Sequence, residues 1–469
     1  MNKNYNISFK IPDDLLQFLN NETYSLLIKG DSGTGKTALC LTILKALNIK
    51  NNFFYISTGV SPNKLFFYFK WINKYLKIKY SNNYNKSSKD INSLEPFFED
   101  ARLDEPESLF ERITNQLMDV RSPLIIVDSW DGVASFMDRE SRLNNERVLQ
   151  TWLERAGGRL ILVSEGNEMT ALDYLVDGIV TLKSTKFNNI NLREMNLTKL
   201  GGINIKKNSF LYTLNNGIFK IYESSNYWDL ILDRSLSSPK NKSSTKKIVK
   251  IDSGHSSLNK DLNGGFTKNS IVLLEYDPNI EIKYVVLFLF NFFINCITNS
   301  HIVLLDNKIA RDVTSILNLL RLYFVDSDDY DKSIKLIDFI LNSKSDSYNK
   351  NHHNHNLNTD LLFSFFPKEL NNVKSNSMIF SILNLDNCKN IADYKLINFL
   401  REKIDLSFLV HEIGNQFELD QKLFDFKIKI IRLNDVICIN LKYPYSRIYG
   451  LEIEKMNNSN TLIRVDPLI

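Results

Sequence analysis

The stretch YSLLIKGDSGTGKTALCLTIL, running from Tyr24 to Leu44, decides how the first half of the chain folds. Tyr24–Lys29 is a short apolar run of strand character, and ALCLTILKAL follows the glycine-rich turn with helical spacing. Between them, Gly30-Asp31-Ser32-Gly33-Thr34-Gly35-Lys36-Thr37 satisfies G-x-x-x-x-G-K-[ST] at every position. Glycines at these places let the backbone curl until successive N–H groups point inward at phosphate oxygens. Lys36 is placed to reach β- and γ-phosphates, the Thr37 hydroxyl to ligate magnesium, and the helix opening through Ala38 adds its positive end. The pattern points to ATP held with Mg2+ by Gly30–Ala38.

A cradle of this kind needs an acidic residue at the end of a neighbouring strand to complete the metal shell. Leu124-Ile125-Ile126-Val127-Asp128 supplies four apolar residues and then a carboxylate, so Asp128 is the candidate; the plainer alternative is a strand-end aspartate capping a turn. Further short apolar strands are expected at Phe53–Ser57, Leu160–Val163 and Ile179–Leu182, with helical stretches between. Such alternation predicts a parallel sheet covered by helices on both faces. After Asn191 close-spaced strands with Gly and Asn turns predict antiparallel hairpins.

At 469 residues the chain suits two domains of roughly 200 residues each. We expect a first domain over 1–225, a Ser/Lys/Asn/Pro-rich linker over 226–250 and a second domain over 251–469. The hydrophobic and charged fractions, 43% and 24%, are those of an ordinary globular protein, and a net charge of +4 argues for no particular partner. Four widely spaced cysteines suit buried thiols in a reducing compartment. MNKNYNISFK is too polar to open a cleavable signal, and Val285–Ile297 is too short to span a bilayer. A cytoplasmic protein without a membrane segment is expected.

The segments LLIKGDSGTGKTALCLTIL, FFYISTGVSPNKL, LIIVDSWDGV, LVSEGNE, VDGIVTL and LTKLGG, in that order over residues 11–222, resemble the RecA/RadA/KaiC superfamily. The closest resemblance is to its archaeal KaiC-like branch and the GvpD family of gas-vesicle regulatory proteins; FEDARLDEPESLFERITNQLMDVRSPLIIVDSWD in particular looks like GvpD. The resemblance implies an ATPase core, often assembled in rings or filaments with nucleotide between subunits. It also exposes two departures. Many KaiC-like proteins place glutamates straight after the second strand to polarise the attacking water, where this chain has Thr58-Gly59-Val60. The family's late Lys-Leu-Arg-Gly reads Lys199-Leu200-Gly201-Gly202 here, without the arginine. Hydrolysis is therefore expected to be weak or absent. Glu165 is a candidate partial replacement for the missing base, beside the plainer reading of a surface-turn glutamate.

The second half restarts the same programme: strands are expected at Ile271–Glu275, His301–Asp306, Met378–Asn384 and Leu406–His411, with Lys283–Ile297 helical and paired strands from Leu423 to Arg464. SSLNKDLNGGFTKNSIVLLEYDPNIEIKYVVLF is similar to the opening of a KaiC-like domain, but Tyr276–Lys283 stands where the phosphate loop belongs. It has no glycine, and Asp277 and Glu281 would repel phosphate. The fold expected is α/β, two tandem RecA-like domains ending in antiparallel hairpins, the second degenerate; an unrelated α/β domain is the alternative for the second half. His352, His353 and His355 sit in a polar stretch that reads as a loop rather than a metal site. Trp130 reads as a core or interface aromatic. The function expected is a nucleotide-dependent regulatory switch acting on a protein partner or by self-association. A DNA-stimulated ATPase is one rival, for which no basic, aromatic-bearing loop stands out. An interaction protein with ATP as a structural cofactor is the other.

Overall fold

The computed structural model describes residues 9–76, 97–102, 122–187, 190–222, 250–324, 328–337, 377–387, 394–414, 421–444, 447–456 and 460–468, with a few isolated positions between 106 and 113. Contacts divide the chain into two compact units, Met1–Glu223 with Leu468–Ile469, and Ser224–Pro467. Apart from Lys250, the expected linker lies outside the described residues, as do the histidine-bearing stretch and Cys388.

The first unit is built on nine strands: β1 (Tyr24–Gly30), β2 (Phe53–Ser57), β3 (Phe97–Asp100), β4 (Leu124–Asp128), β5 (Arg159–Glu165), β6 (Gly178–Phe187), β7 (Ile190–Leu200), β8 (Ser209–Thr213) and β9 (Lys220–Ile221). They form one sheet in the order β3-β2-β4-β5-β1-β6-β7-β8-β9. Strands β1 to β6 pair in parallel, and β6 to β9 continue antiparallel. Its helices are α1 (Asp13–Leu19), α2 (Lys36–Ala46), α3 (Pro62–Tyr68), α4 (Lys70–Leu76), α5 (Trp130–Ala134), α6 (Arg139–Ala156) and α7 (Ala171–Leu175).

Side chains alternate across a strand, so a central strand covered on both faces must be apolar throughout. β1 is buried at every position. Its Leu26 and Ile28 join Leu39 and Ile43 of α2 on one face, while Leu27 joins Trp130 and Leu149 on the other. Trp130 is therefore a core residue: it is fully buried, and its indole N–H donates to Glu146 Oε1 at 2.9 Å.

The second unit repeats this plan strand for strand. Its strands are β12 (Ser270–Tyr276), β13 (Ile302–Asp306), β14 (Ile334–Ile337), β15 (Ile379–Asn384), β16 (Leu406–Glu412), β17 (Phe426–Leu433), β18 (Val436–Tyr443), β19 (Arg447–Met456) and β20 (Asn460–Pro467). A separate antiparallel pair, β10 (Lys250–Ile251) and β11 (Phe266–Thr267), precedes them. The order β14-β13-β15-β16-β12-β17-β18-β19-β20 gives each strand a counterpart at the same place in the first sheet. Two sheets, each parallel over six strands and antiparallel at one end, make this a tandem RecA-like α/β protein. The expected helix over Lys283–Ile297 is two segments, Ile282–Phe288 and Phe290–Thr298, joined at Leu289. Most of it is buried in the core, and no helix among the described residues is long and apolar enough to cross a membrane.

His255 sits in this second core. One ring nitrogen lies 2.7 Å from the Phe288 carbonyl, and the ring stacks on Phe288 with centroids 5.2 Å apart. Burial opposes its charged form and lowers its pKa to about 4. An unfolded histidine protonates near 6.5, so the folded form loses stability as pH falls from there towards 4 and keeps it above 6.5. The loss amounts to about 3 kcal/mol. Denaturant midpoints measured from pH 7 to 4 should fall more steeply in the natural protein than in His255→Gln, which keeps an N–H donor.

Candidate nucleotide site

The phosphate loop grows from the C-terminal end of β1, the central strand of the nine-stranded sheet. Gly30 is required by crowding: a Cβ there would meet the Leu182 carbonyl oxygen at 2.5 Å and Thr34 Oγ1 at 2.8 Å. Gly35 is required by conformation, with φ +96°, and a Cβ would also collide with Leu214 at 2.7 Å. The Thr34 hydroxyl donates to the Asp31 carbonyl at 2.7 Å, and the Tyr212 hydroxyl holds the Thr34 carbonyl at 2.6 Å. Helix α2 then starts at Lys36 with no side-chain cap and no acidic residue in its first turn. Its leading N–H groups have no partner within the helix, and its positive end is not neutralised locally. This is the electrostatic form of an anion cradle.

Lys36 is buried with its ammonium donating to the carbonyls of Gly30 and Asp31 at 2.6 and 3.0 Å. Its remaining contact is an ion pair with Glu165 Oε2 at 2.9 Å. Register explains that meeting, since Gly30 pairs with Glu165 across β1 and β5. Glu165 thus stands at the loop, half exposed, and it is engaged with Lys36.

Asp128 does not end the strand next to β1, as the sequence suggested; β5 lies between. Thr37 on α2 still reaches it, its hydroxyl donating to Asp128 Oδ2 at 2.6 Å. Tyr55, on β2, donates to the same oxygen at 2.5 Å. Sequence reading missed Tyr55, because nothing in FFYIS distinguishes its hydroxyl from a core aromatic. Two oxygen donors side by side at the head of the loop fit a hard cation such as Mg2+, which takes one or two protein ligands and completes its shell with phosphate and water. No group of three or more metal-type side chains occurs among the described residues.

Burial raises the Asp128 pKa, against the pull of the Thr37 and Tyr55 hydrogen bonds and of Lys36. A carboxyl raised on folding stabilises the fold below its unfolded pKa, and that stability is lost as pH rises through the folded pKa. Above its unfolded pKa, Asp128 therefore costs stability unless a cation meets it. Asp128→Asn, which keeps an acceptor for both hydroxyls, should raise the melting temperature of the nucleotide-free protein by a few degrees. Domains of this size shift by about 2–4 °C per kcal/mol. ATP with magnesium is expected to raise the melting temperature of this variant less than that of the natural protein.

Other side chains stiffen the mouth of the site. Lys29, buried just before the loop, pairs with Asp173 at 2.9 Å and donates to the Glu168 carbonyl, holding the segment after β5. The Glu165 N–H donates to Asp131 Oδ2 at 2.6 Å, and Arg142 lies 3.8 Å from Asp131 Oδ1. Arg142 also pairs with the buried Glu146 at 2.9 Å. Where the family's glutamates were sought, Thr58 instead donates to the Ser129 carbonyl at 2.7 Å and accepts from the Ser129 N–H at 2.8 Å. Lys199, the remaining basic group of the late hairpin, donates to the Val176 carbonyl of its own unit.

Residues 15–198, which carry all of this geometry except Lys199, Tyr212 and Leu214, match the family model for the GvpD gas vesicle protein, P-loop domain. The N-terminal unit is a GvpD-like P-loop domain. Two curated relatives come from Halobacterium salinarum. Protein GvpD1 is 25% identical over 303 residues, covering 58% of this chain and 51% of the relative. Protein GvpD2 is 26% identical over 289 residues, covering 58% and 56%. The chain thus spans about half the length of the curated relatives it matches.

The GvpD-like domain has a geometric counterpart in the second unit. Tyr276 pairs with Glu412 as Gly30 pairs with Glu165. Counting from those pairs, Asn384 takes the place of Asp128, Ile282 that of Lys36 and Lys283 that of Thr37. A cavity of about 300 Å³ remains there, and Glu281, Asp312, Asp386 and Glu412 are among its lining residues. Lys283 is paired with Glu281, and Asp277 with Lys429 at 2.9 Å.

Proposed function

We propose that the GvpD-like domain binds ATP with Mg2+ and works as a nucleotide-dependent regulatory switch, with weak or absent hydrolysis. By likeness to the gas vesicle proteins it matches, its role is assigned to gas-vesicle regulation through a protein partner or self-association. The observation that carries this reading is the Lys36–Glu165 pair at the loop. Triphosphate oxygens compete with Glu165 for the same ammonium. When Lys36 turns to phosphate, Glu165 is released, and its own N–H is held by Asp131, whose contact with Arg142 leads to Glu146 and Trp130. ATP supplies the charge that shifts Lys36, and the chain of contacts converts that shift into a change at α5 and α6.

In this scheme Thr37 and Asp128 hold the cation, and the amides of Gly30–Ala38 hold the phosphates. The second unit, with Asn384 and Ile282 at the matching positions and carboxylates lining its cavity, is assigned no nucleotide of its own. Hydrogen exchange followed with and without ATP and magnesium tests the switch. Protection should change over residues 129–146 and 165–173 in the natural protein and stay constant in Lys36→Ala. Saturating nucleotide without any change in those segments would remove the switch while leaving binding intact.

A further inference from the structure

Between Ser32 and Lys89 the sequence holds ten lysines and no aspartate, glutamate or arginine, in a chain whose net charge is only +4. Lys36 belongs to the phosphate loop, but the others do not. Among the described residues, Lys45 lies in the last turn of α2 and Lys50 just beyond it, and Lys64, Lys70 and Lys74 lie on α3 and α4.

Both short helices turn their apolar side inward, burying Leu65, Phe66, Ile72, Tyr75 and Leu76. Their outer side carries Lys64, Lys70 and Lys74 together with two aromatic rings, Phe67 at 66% and Tyr68 at 54% exposure. Each ring has an ammonium over it: Lys70 lies 5.5 Å from the Phe67 centroid and Lys64 5.8 Å from that of Tyr68. The two rings are themselves 6.0 Å apart. Lys45 and Lys50 approach the neighbouring Tyr75 ring at 4.4 and 5.6 Å.

We propose that this face of α3 and α4 is a docking surface for single-stranded nucleic acid. Exposed rings flanked by cations offer what such a strand presents in alternation, a base to stack and a phosphate to neutralise. Lysine without arginine supplies point charges rather than the bidentate fork that reads guanine, so binding is indifferent to sequence. A lipid surface fits less well, because the apolar sides of both helices are already committed to the core and two rings are too little to insert. The sequence marks a helix start at Pro62 but not its exposed rings, because an aromatic run resembles core; burial separates Phe66 from Phe67 and Tyr68. Lys64, Phe67, Tyr68, Lys70 and Lys74 lie outside the phosphate loop, so this surface stands independently of the switch.

The test is fluorescence anisotropy of a labelled 20-nucleotide oligothymidylate with the full chain over a range of salt. Binding should weaken with salt, with a log–log slope of about 0.7 per phosphate neutralised. Phe67→Ala with Tyr68→Ala should cost about tenfold or more in affinity at fixed salt and leave the slope unchanged. Lys64→Ala with Lys70→Ala and Lys74→Ala should lower the slope by about 2. An unchanged melting temperature and ATP affinity in each variant shows that the fold is intact. Wild-type affinity in both variants overturns the proposal, as does capture of phosphatidylserine vesicles with no binding of the oligonucleotide.

Discussion

Replacing Lys36 by alanine is expected to weaken ATP binding by roughly thirtyfold to a few thousandfold. That range corresponds to the 2–5 kcal/mol typically lost when one partner of a buried, hydrogen-bonded charge pair is truncated. Lys36 is buried and surrounded by acceptors from Gly30, Asp31 and Glu165, so its ammonium is already held at the loop before phosphate arrives. Alanine removes the charge and takes one donor from each of the Gly30 and Asp31 carbonyls, which keep bonds from Gly166 and Thr34. Lys36→Met preserves most of the stem volume and separates lost charge from lost packing. Both variants should melt within a few degrees of the natural protein, and both should lose nucleotide in a filter-binding or fluorescence titration. Affinity equal to that of the natural protein in both would mean that the ligand, if any, sits elsewhere.

The second large effect concerns turnover. Phosphate release should stay below about 1 per second, the low end of ordinary enzyme rates. No carboxylate follows β2, and Thr58 is committed to both backbone groups of Ser129. Gly59 offers a way to restore the missing group, because a Cβ there would meet no atom within 4 Å. Gly59→Glu is expected to raise release about a hundredfold, the lower end of what a positioned general base contributes. The gain should vanish when Lys36→Ala is added, which separates catalysis at this loop from a contaminating activity. Fast release by the natural protein, or a Gly59→Glu variant as slow as its parent, would move the catalytic deficit away from this position.

How much of this could be read in advance depends on the residues concerned. Strand β1, its loop and α2 were legible because an apolar run, spaced glycines and a helical period agree locally. LIIVD marked Asp128 for the same reason, and the repeated order of strands in the second half was visible as recurring apolar runs. The edge strands β3 and β14 were not legible: FFED and IKLI are four residues each, too short for a period to show. The partner of Glu165 could not be seen either, since it depends on the register that sets Gly30 beside it. Tyr55 and the Lys29–Asp173 pair depend likewise on contacts distant in sequence. The exposed side of α3 was hidden for the opposite reason, because composition alone does not separate a buried phenylalanine from an exposed one.

Calorimetric titration of the full chain with ATP, run once in magnesium and once in a chelator, tests the nucleotide site most directly. One ATP per chain is predicted, bound at least tenfold more tightly with the metal than without it. No heat of binding, two nucleotides per chain, or an affinity that ignores magnesium would contradict a single cradle closed by Thr37 and Asp128.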